Sequence, residues 1–113
     1  MKLPKGNAME QVLAMQCIAD GITSFEQNYV FDSKRKFEID LAVPDQRCGI
    51  EIQGGVWNSK TGAHGSPIKI LRDMEKSNLL VLSGWRVLRY TPSQVNNGEA
   101  IEGLKALLIR KIL

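Results

Sequence analysis

Histidine occurs once in the chain, at His64, and cysteine only twice, at Cys17 and Cys48. No Cys or His stands near either cysteine at zinc-ligand spacing, which excludes the usual structural zinc sites. The two cysteines fall in segments that read as a helix and a strand, so both are expected to be buried, reduced thiols. Long apolar runs are missing as well: none approaches the ~20 residues needed to cross a bilayer. The Met1-Lys-Leu-Pro start has no apolar h-region of a secretory signal. A membrane partner is therefore not expected, and the cytoplasm is the expected compartment. There is no internal repeat, low-complexity tract or linker-like stretch, and only the first few residues are expected to lack order.

What is present suits one folded unit. The chain has 113 residues, 43% apolar and 24% charged, enough for a single domain spanning residues 1–113 around one core. Fifteen Lys and Arg against twelve Asp and Glu give a net charge of +3. That bias permits a polyanionic partner without demanding one.

Asn7 is placed to cap a helix from Ala8 to about Ala19, in which Met9, Val12, Leu13, Gln16 and Cys17 recur at helical spacing and Asp20-Gly21 ends the pattern. Phe25 to Phe31 reads as a first strand and Asp32-Ser33-Lys34-Arg35 as its turn. In the next strand Phe37, Ile39, Leu41 and Val43 are expected on one face, leaving Glu38, Asp40 and Ala42 on the other. After a turn at Pro44-Asp45-Gln46-Arg47, Cys48, Ile50 and Ile52 alternate with Gly49, Glu51 and Gln53. Two neighbouring strands thus each point acids off the core face.

Gly54-Gly55 ends the third strand, and Asn58 to Ser66 reads as a surface loop carrying Lys60 and His64. Ser66 and Pro67 start a second helix that runs to about Leu82, with Gly84 placed to stop it. Trp85 to Tyr90 reads as the fourth strand. A short turn through Asn96-Asn97-Gly98 then leads to a last helix with Ile101, Leu104, Leu108, Ile109 and Ile112 as its apolar stripe. The order αβββαβα predicts an α/β fold with a mixed central sheet, its third and fourth strands parallel through a crossover, and helices packed on it.

The chemistry-bearing pattern is Asp40 followed eleven residues later by Glu51-Ile52-Gln53. With the two carboxylates on paired strands, both can face one ion. Magnesium takes one or two carboxylates, with water and phosphate oxygens completing an octahedron. Asp40, Glu51 and the Ile52 carbonyl supply such a half-shell. An ion held there lowers the pKa of a bound water and neutralises charge on a phosphodiester. Gln53, on the face of Glu51, can orient the water or a phosphate oxygen but has no positive charge. Lys69, Arg72 and Lys76 share one side of the second helix and can bring cations to the phosphate, so that a helical lysine takes the place of one at Gln53. Lys60 in the loop is a further candidate contact to DNA.

These residues resemble the PD-(D/E)XK nuclease superfamily, whose signature is an acid on one strand and Glu/Asp-x-Lys on the next, here Asp40…Glu51-x-Gln53. Within it the chain looks most like the small phage and bacterial proteins related to very-short-patch-repair endonucleases. The matching stretches are Phe37-Glu-Ile-Asp-Leu-Ala-Val-Pro44, Ile50-Glu-Ile-Gln-Gly-Gly-Val-Trp57, His64, Asp73-x-x-Lys76-x-Asn78 and Gly84-Trp-Arg-Val-Leu-Arg-Tyr90. The resemblance implies a restriction-endonuclease-like core, DNA as substrate and magnesium, or manganese in its place, on Asp40 and Glu51. It also implies a supporting acid at Glu10 and a loop acid/base or phosphate contact at His64. A phage-encoded chain would act in its bacterial host's cytoplasm.

Two alternatives remain open on the residues alone: a nuclease fold with weak or lost catalysis that binds DNA or protein, and a nuclease of branched DNA or RNA. Cutting both strands usually takes two active sites, so a homodimer is expected, with the apolar C-terminal helix as its candidate contact.

Overall fold

The computed structural model describes residues 3–54 and 66–110. The chain runs through helix α1 (Ala8–Ala19), strands β1 (Glu26–Asp32) and β2 (Phe37–Val43), a 3-10 turn (Pro44–Gln46), β3 (Cys48–Ile52), α2 (Pro67–Leu82), β4 (Arg86–Tyr90), α3 (Pro92–Asn96) and α4 (Glu99–Arg110). The four strands form one sheet in the order β1-β2-β3-β4. The first two pairings are antiparallel and the third is parallel, so the α/β class, the mixed sheet and the β3–α2–β4 crossover are as expected.

Local chemistry sets the helix ends. At α1 the Asn7 side chain accepts from the Glu10 amide, and the Glu10 carboxylate accepts from the Asn7 amide, a reciprocal capping box. Ser66 caps α2 by accepting from the Lys69 amide, with Pro67 in the first turn. Gly84, at φ 79°, closes the other end of α2. One expectation fails after β4, where a plain turn was predicted. Thr91 and Gln94 form a second capping box, and the segment winds into α3. Thr91 and Gln94 satisfy amides that would otherwise be left unpaired, which suffices to start a short helix after Pro92.

The sheet separates two apolar clusters. Leu41, Val43, Cys48 and Ile50 pack with Leu13, Ala14 and Cys17 of α1, Val95 of α3, and Ala100, Ile101 and Leu104 of α4. Ile39 and Ala42 instead pack with Leu80 of α2 and Trp85 on the opposite side. Leu13, Ile39, Leu41, Ile50 and Leu104 are fully buried, each contributing roughly 1.5–3 kcal/mol by leaving water.

This division corrects the expected alternation in β2. Ile39 and Leu41 should share a face, yet they belong to different clusters. The same exchange occurs in β1. Gln27 hydrogen-bonds to Lys5 and to the Glu10 carbonyl on the α1 side, whereas Tyr29 packs its ring against Trp85 on the α2 side. Between them Asn28 adopts a left-handed φ of 51°, and the pairs Gln27↔Leu41 and Tyr29↔Ile39 set it opposite Asp40. A left-handed residue inside a strand breaks the period of two, and Asn tolerates that conformation better than most. Asp40 therefore occupies the point where the two faces exchange. Cys17 and Cys48 are buried, reduced thiols, as expected, and burial pushes the Cys17 thiol up to about 12.

Candidate active site

Asp40 and Glu51 converge where β2 and β3 part. The last paired residues before the gap are Leu41 and Ile50, and one further step along the same register sets Asp40 against Glu51. There the backbone ladder gives way to a side chain, because the Ile52 amide donates to Asp40 Oδ2 at 2.7 Å. Asp40 is half-buried, and its carboxylate reaches toward β3 instead of lying on the polar face of a regular strand.

Glu51 was expected to point off the core, but it is 6% exposed and sits under α2. From α2, Lys76 donates its Nζ to Glu51 Oε1 in a partly buried ion pair. The Glu51 carboxyl is nonetheless pushed up to about 7. Burial is the largest cause and the adjacent negative charge of Asp40 the next. A hydrogen bond between the two carboxyl groups also raises it, and the Lys76 ammonium opposes them. With both acids ionised, the single ammonium leaves one negative charge unbalanced, which with burial is why Glu51 holds its proton to higher pH.

The remaining sequence candidates divide. Ile52 lies in β3, and an extended residue turns its N–H and C=O to the same edge, so its carbonyl faces the side of Asp40. That carbonyl accepts from the Gly54 amide at 3.2 Å, which leaves it a second lone pair. Gln53 is anchored through its amide to the Tyr90 carbonyl at 2.8 Å, and by alternation its side chain follows the face of Glu51. Arg72 does not join the acids. Its guanidinium lies 5.0 Å from the centre of the Phe37 ring, and Arg35 lies over the same ring at 5.5 Å. Lys69 is exposed in the first turn of α2. The Glu10 carboxylate serves the α1 cap, and none of its described contacts reaches Asp40 or Glu51. His64 and Lys60 lie outside the described residues.

Arg89 is a neighbour that the spacing argument did not select. Parallel pairing puts it in register with Glu51, and its guanidinium donates to Ser77 Oγ on α2, one residue beyond Lys76. The signal was the alternation of Arg86 to Tyr90, but reading it needed the register with β3. Arg86 has a different use: it donates to the Leu107 and Gln46 carbonyls and ties α4 to the 3-10 turn.

The donor set suits a hard divalent cation with few protein ligands. Among the described residues no three of His, Cys, Asp and Glu gather at one point, so a cage made wholly of protein ligands is not formed there. Two carboxylates and a half-used backbone carbonyl match what magnesium takes from a protein when water and phosphate complete its shell. No family model matches the sequence, and no curated protein or solved structure matches it significantly.

Proposed function

We propose that the chain is a magnesium-dependent DNA endonuclease built on a restriction-endonuclease-like core of the PD-(D/E)XK type. The observation that carries this reading is the meeting of Asp40, Glu51 and Lys76 at the gap between β2 and β3. Asp40, Glu51 and the Ile52 carbonyl would hold magnesium or manganese. When bound, the ion supplies an acidified water and positive charge against the phosphodiester. Lys76 supplies the ammonium absent at Gln53, and the Gln53 amide is left to orient water or a phosphate oxygen. Lys69 and Arg89 lend positive charge on the α2 side.

A magnesium-dependent assay of supercoiled-plasmid nicking tests the reading, with Asp40→Asn and Glu51→Gln variants expected to be inactive. Comparison of duplex, single-strand, junction and RNA substrates then places the specificity. One observation favours a second reading as a binding module: Glu51 already has a counter-ion in Lys76. Such a module would bind DNA or protein equally well in chelator, and calorimetry would detect no specific uptake of magnesium.

Homodimerisation remains part of the proposal, although α4 gives it little support. Leu107 and Leu108 pack partly buried against the core. Exposed large apolar side chains among the described residues concentrate on α2, at Ile68, Ile70, Leu71, Met74, Val81 and Leu82. No helix among the described residues is long and apolar enough to cross a membrane.

A further inference from the structure

The ammonium of Lys76 occupies an oxygen that the proposed magnesium would need. Charge counting shows the consequence. Asp40 and Glu51 together carry two negative charges when ionised, and Lys76 balances one of them. A divalent cation balances both, and the ammonium then becomes a surplus positive charge against a cation. Lys76 can leave easily. Its side chain is 20% exposed, against 8% for Glu51, and its ammonium stands on a flexible four-carbon stem. In the described structure it has no second acceptor that would hold it in place once Glu51 is taken.

The geometry points to Lys76 as an exchangeable placeholder: it caps Glu51 in the metal-free protein, yields that carboxylate to magnesium, and is thereby released to bind a phosphate oxygen of the substrate. This inference rests on the nuclease reading and adds the order of events within it. Metal loading and phosphate capture become one coupled step, because the group that grips phosphate is unavailable until the ion arrives. Lys76 thereby keeps two adjacent carboxylates tolerable in a folded protein without metal. It also keeps the substrate-binding charge masked until the site is able to act on the substrate.

Amine acetylation of the intact protein, followed by peptide mass spectrometry, reads this exchange directly. Lys34, exposed in the turn between β1 and β2 and outside the proposed contacts to DNA, serves as the internal reference. In chelator, Lys76 should react more slowly than Lys34. Saturating magnesium chloride alone should raise the Lys76 rate by roughly tenfold, the size expected when a partly buried ion pair is lost. A short DNA duplex added with magnesium should slow Lys76 again, and an Asp40→Asn protein should show no response to magnesium. A Lys76 rate unchanged or lowered by saturating magnesium overturns the exchange while leaving the metal site intact. A Lys76 rate that stays high with duplex present overturns the transfer to phosphate. Calorimetry on the same samples separates the two levels, since a protein that takes up no magnesium loses the nuclease reading and the exchange with it.

Discussion

The Asp40 carboxylate accepts the Ile52 amide at 2.7 Å, so a side chain continues the β2–β3 connection where the backbone ladder stops. This makes Asp40 both a structural bridge and an acid beside Glu51, and the two roles separate on substitution. An Asp40→Asn protein keeps an oxygen for the Ile52 amide and loses the negative charge. An Asp40→Ala protein loses both. Chemical denaturation at about pH 8 should therefore place Asp40→Ala below Asp40→Asn in stability by roughly 1–2 kcal/mol, the cost of leaving the part-buried Ile52 amide without an acceptor, since both proteins relieve Glu51 of the neighbouring charge alike. Both should lose magnesium binding by calorimetry.

Glu51 gives the fold an unusual pH dependence. Its carboxyl rises from an ordinary 4.5 to about 7, so the folded chain binds this proton more tightly than the unfolded chain. The stability linked to this group is present below about pH 4.5, falls as pH rises to about 7, and is flat above that. The loss across that window is on the order of 3 kcal/mol. A Glu51→Gln protein should lack this slope and be more stable than wild type at pH 8, while losing nicking activity. Denaturation midpoints across pH 4–8 check the sign.

Removal of the partner works in the opposite direction. A Lys76→Met protein leaves a buried carboxylate beside Asp40 with no cation, so at pH 8 it should lose about 2–3 kcal/mol. Below about pH 5.5 Glu51 takes up its proton and the deficit should shrink. Paired denaturation curves at the two pH values measure the difference, and a deficit independent of pH would show that Lys76 acts only through packing.

Gly49 is needed for close approach. A Cβ added there would meet the Leu41 carbonyl oxygen at 2.5 Å and the Ile39 Cγ2 at 2.9 Å. Backbone cannot give way as a long side chain can, so Gly49→Ala should cost roughly 2 kcal/mol or more through overpacking between β2 and β3. Thermal unfolding measures it. Because Gly49 lies two residues before Glu51 on the same strand face, the substitution should also widen the gap and weaken magnesium binding.

The sequence reading succeeded where the signal was local. Asn7, Ser66-Pro67 and Gly84 mark helix ends through contacts within a few residues, and the antiparallel pairing of two strands across the Pro44 turn was enough to bring Asp40 and Glu51 together, although the strict alternation expected of β2 did not hold. It failed where the answer depended on a partner. Asn28 gives no local hint that it will turn left-handed and exchange the faces of β1 and β2. Asn7-x-x-Glu10 is itself a capping pattern, so the structural use of Glu10 was visible in the spacing. The choice among Lys69, Arg72 and Lys76 was not. All three lie on one side of α2, and only the docking of that helix sends Lys76 to Glu51 and Arg72 to Phe37.

The nicking of supercoiled plasmid bears most directly on the hydrolytic role proposed for the acidic pair. Open circles should accumulate with magnesium, stop forming in chelator, and be absent with folded Asp40→Asn and Glu51→Gln proteins. Nicking that persists at the wild-type rate in chelator, or in both of those proteins, would contradict a metal site formed by these two carboxylates.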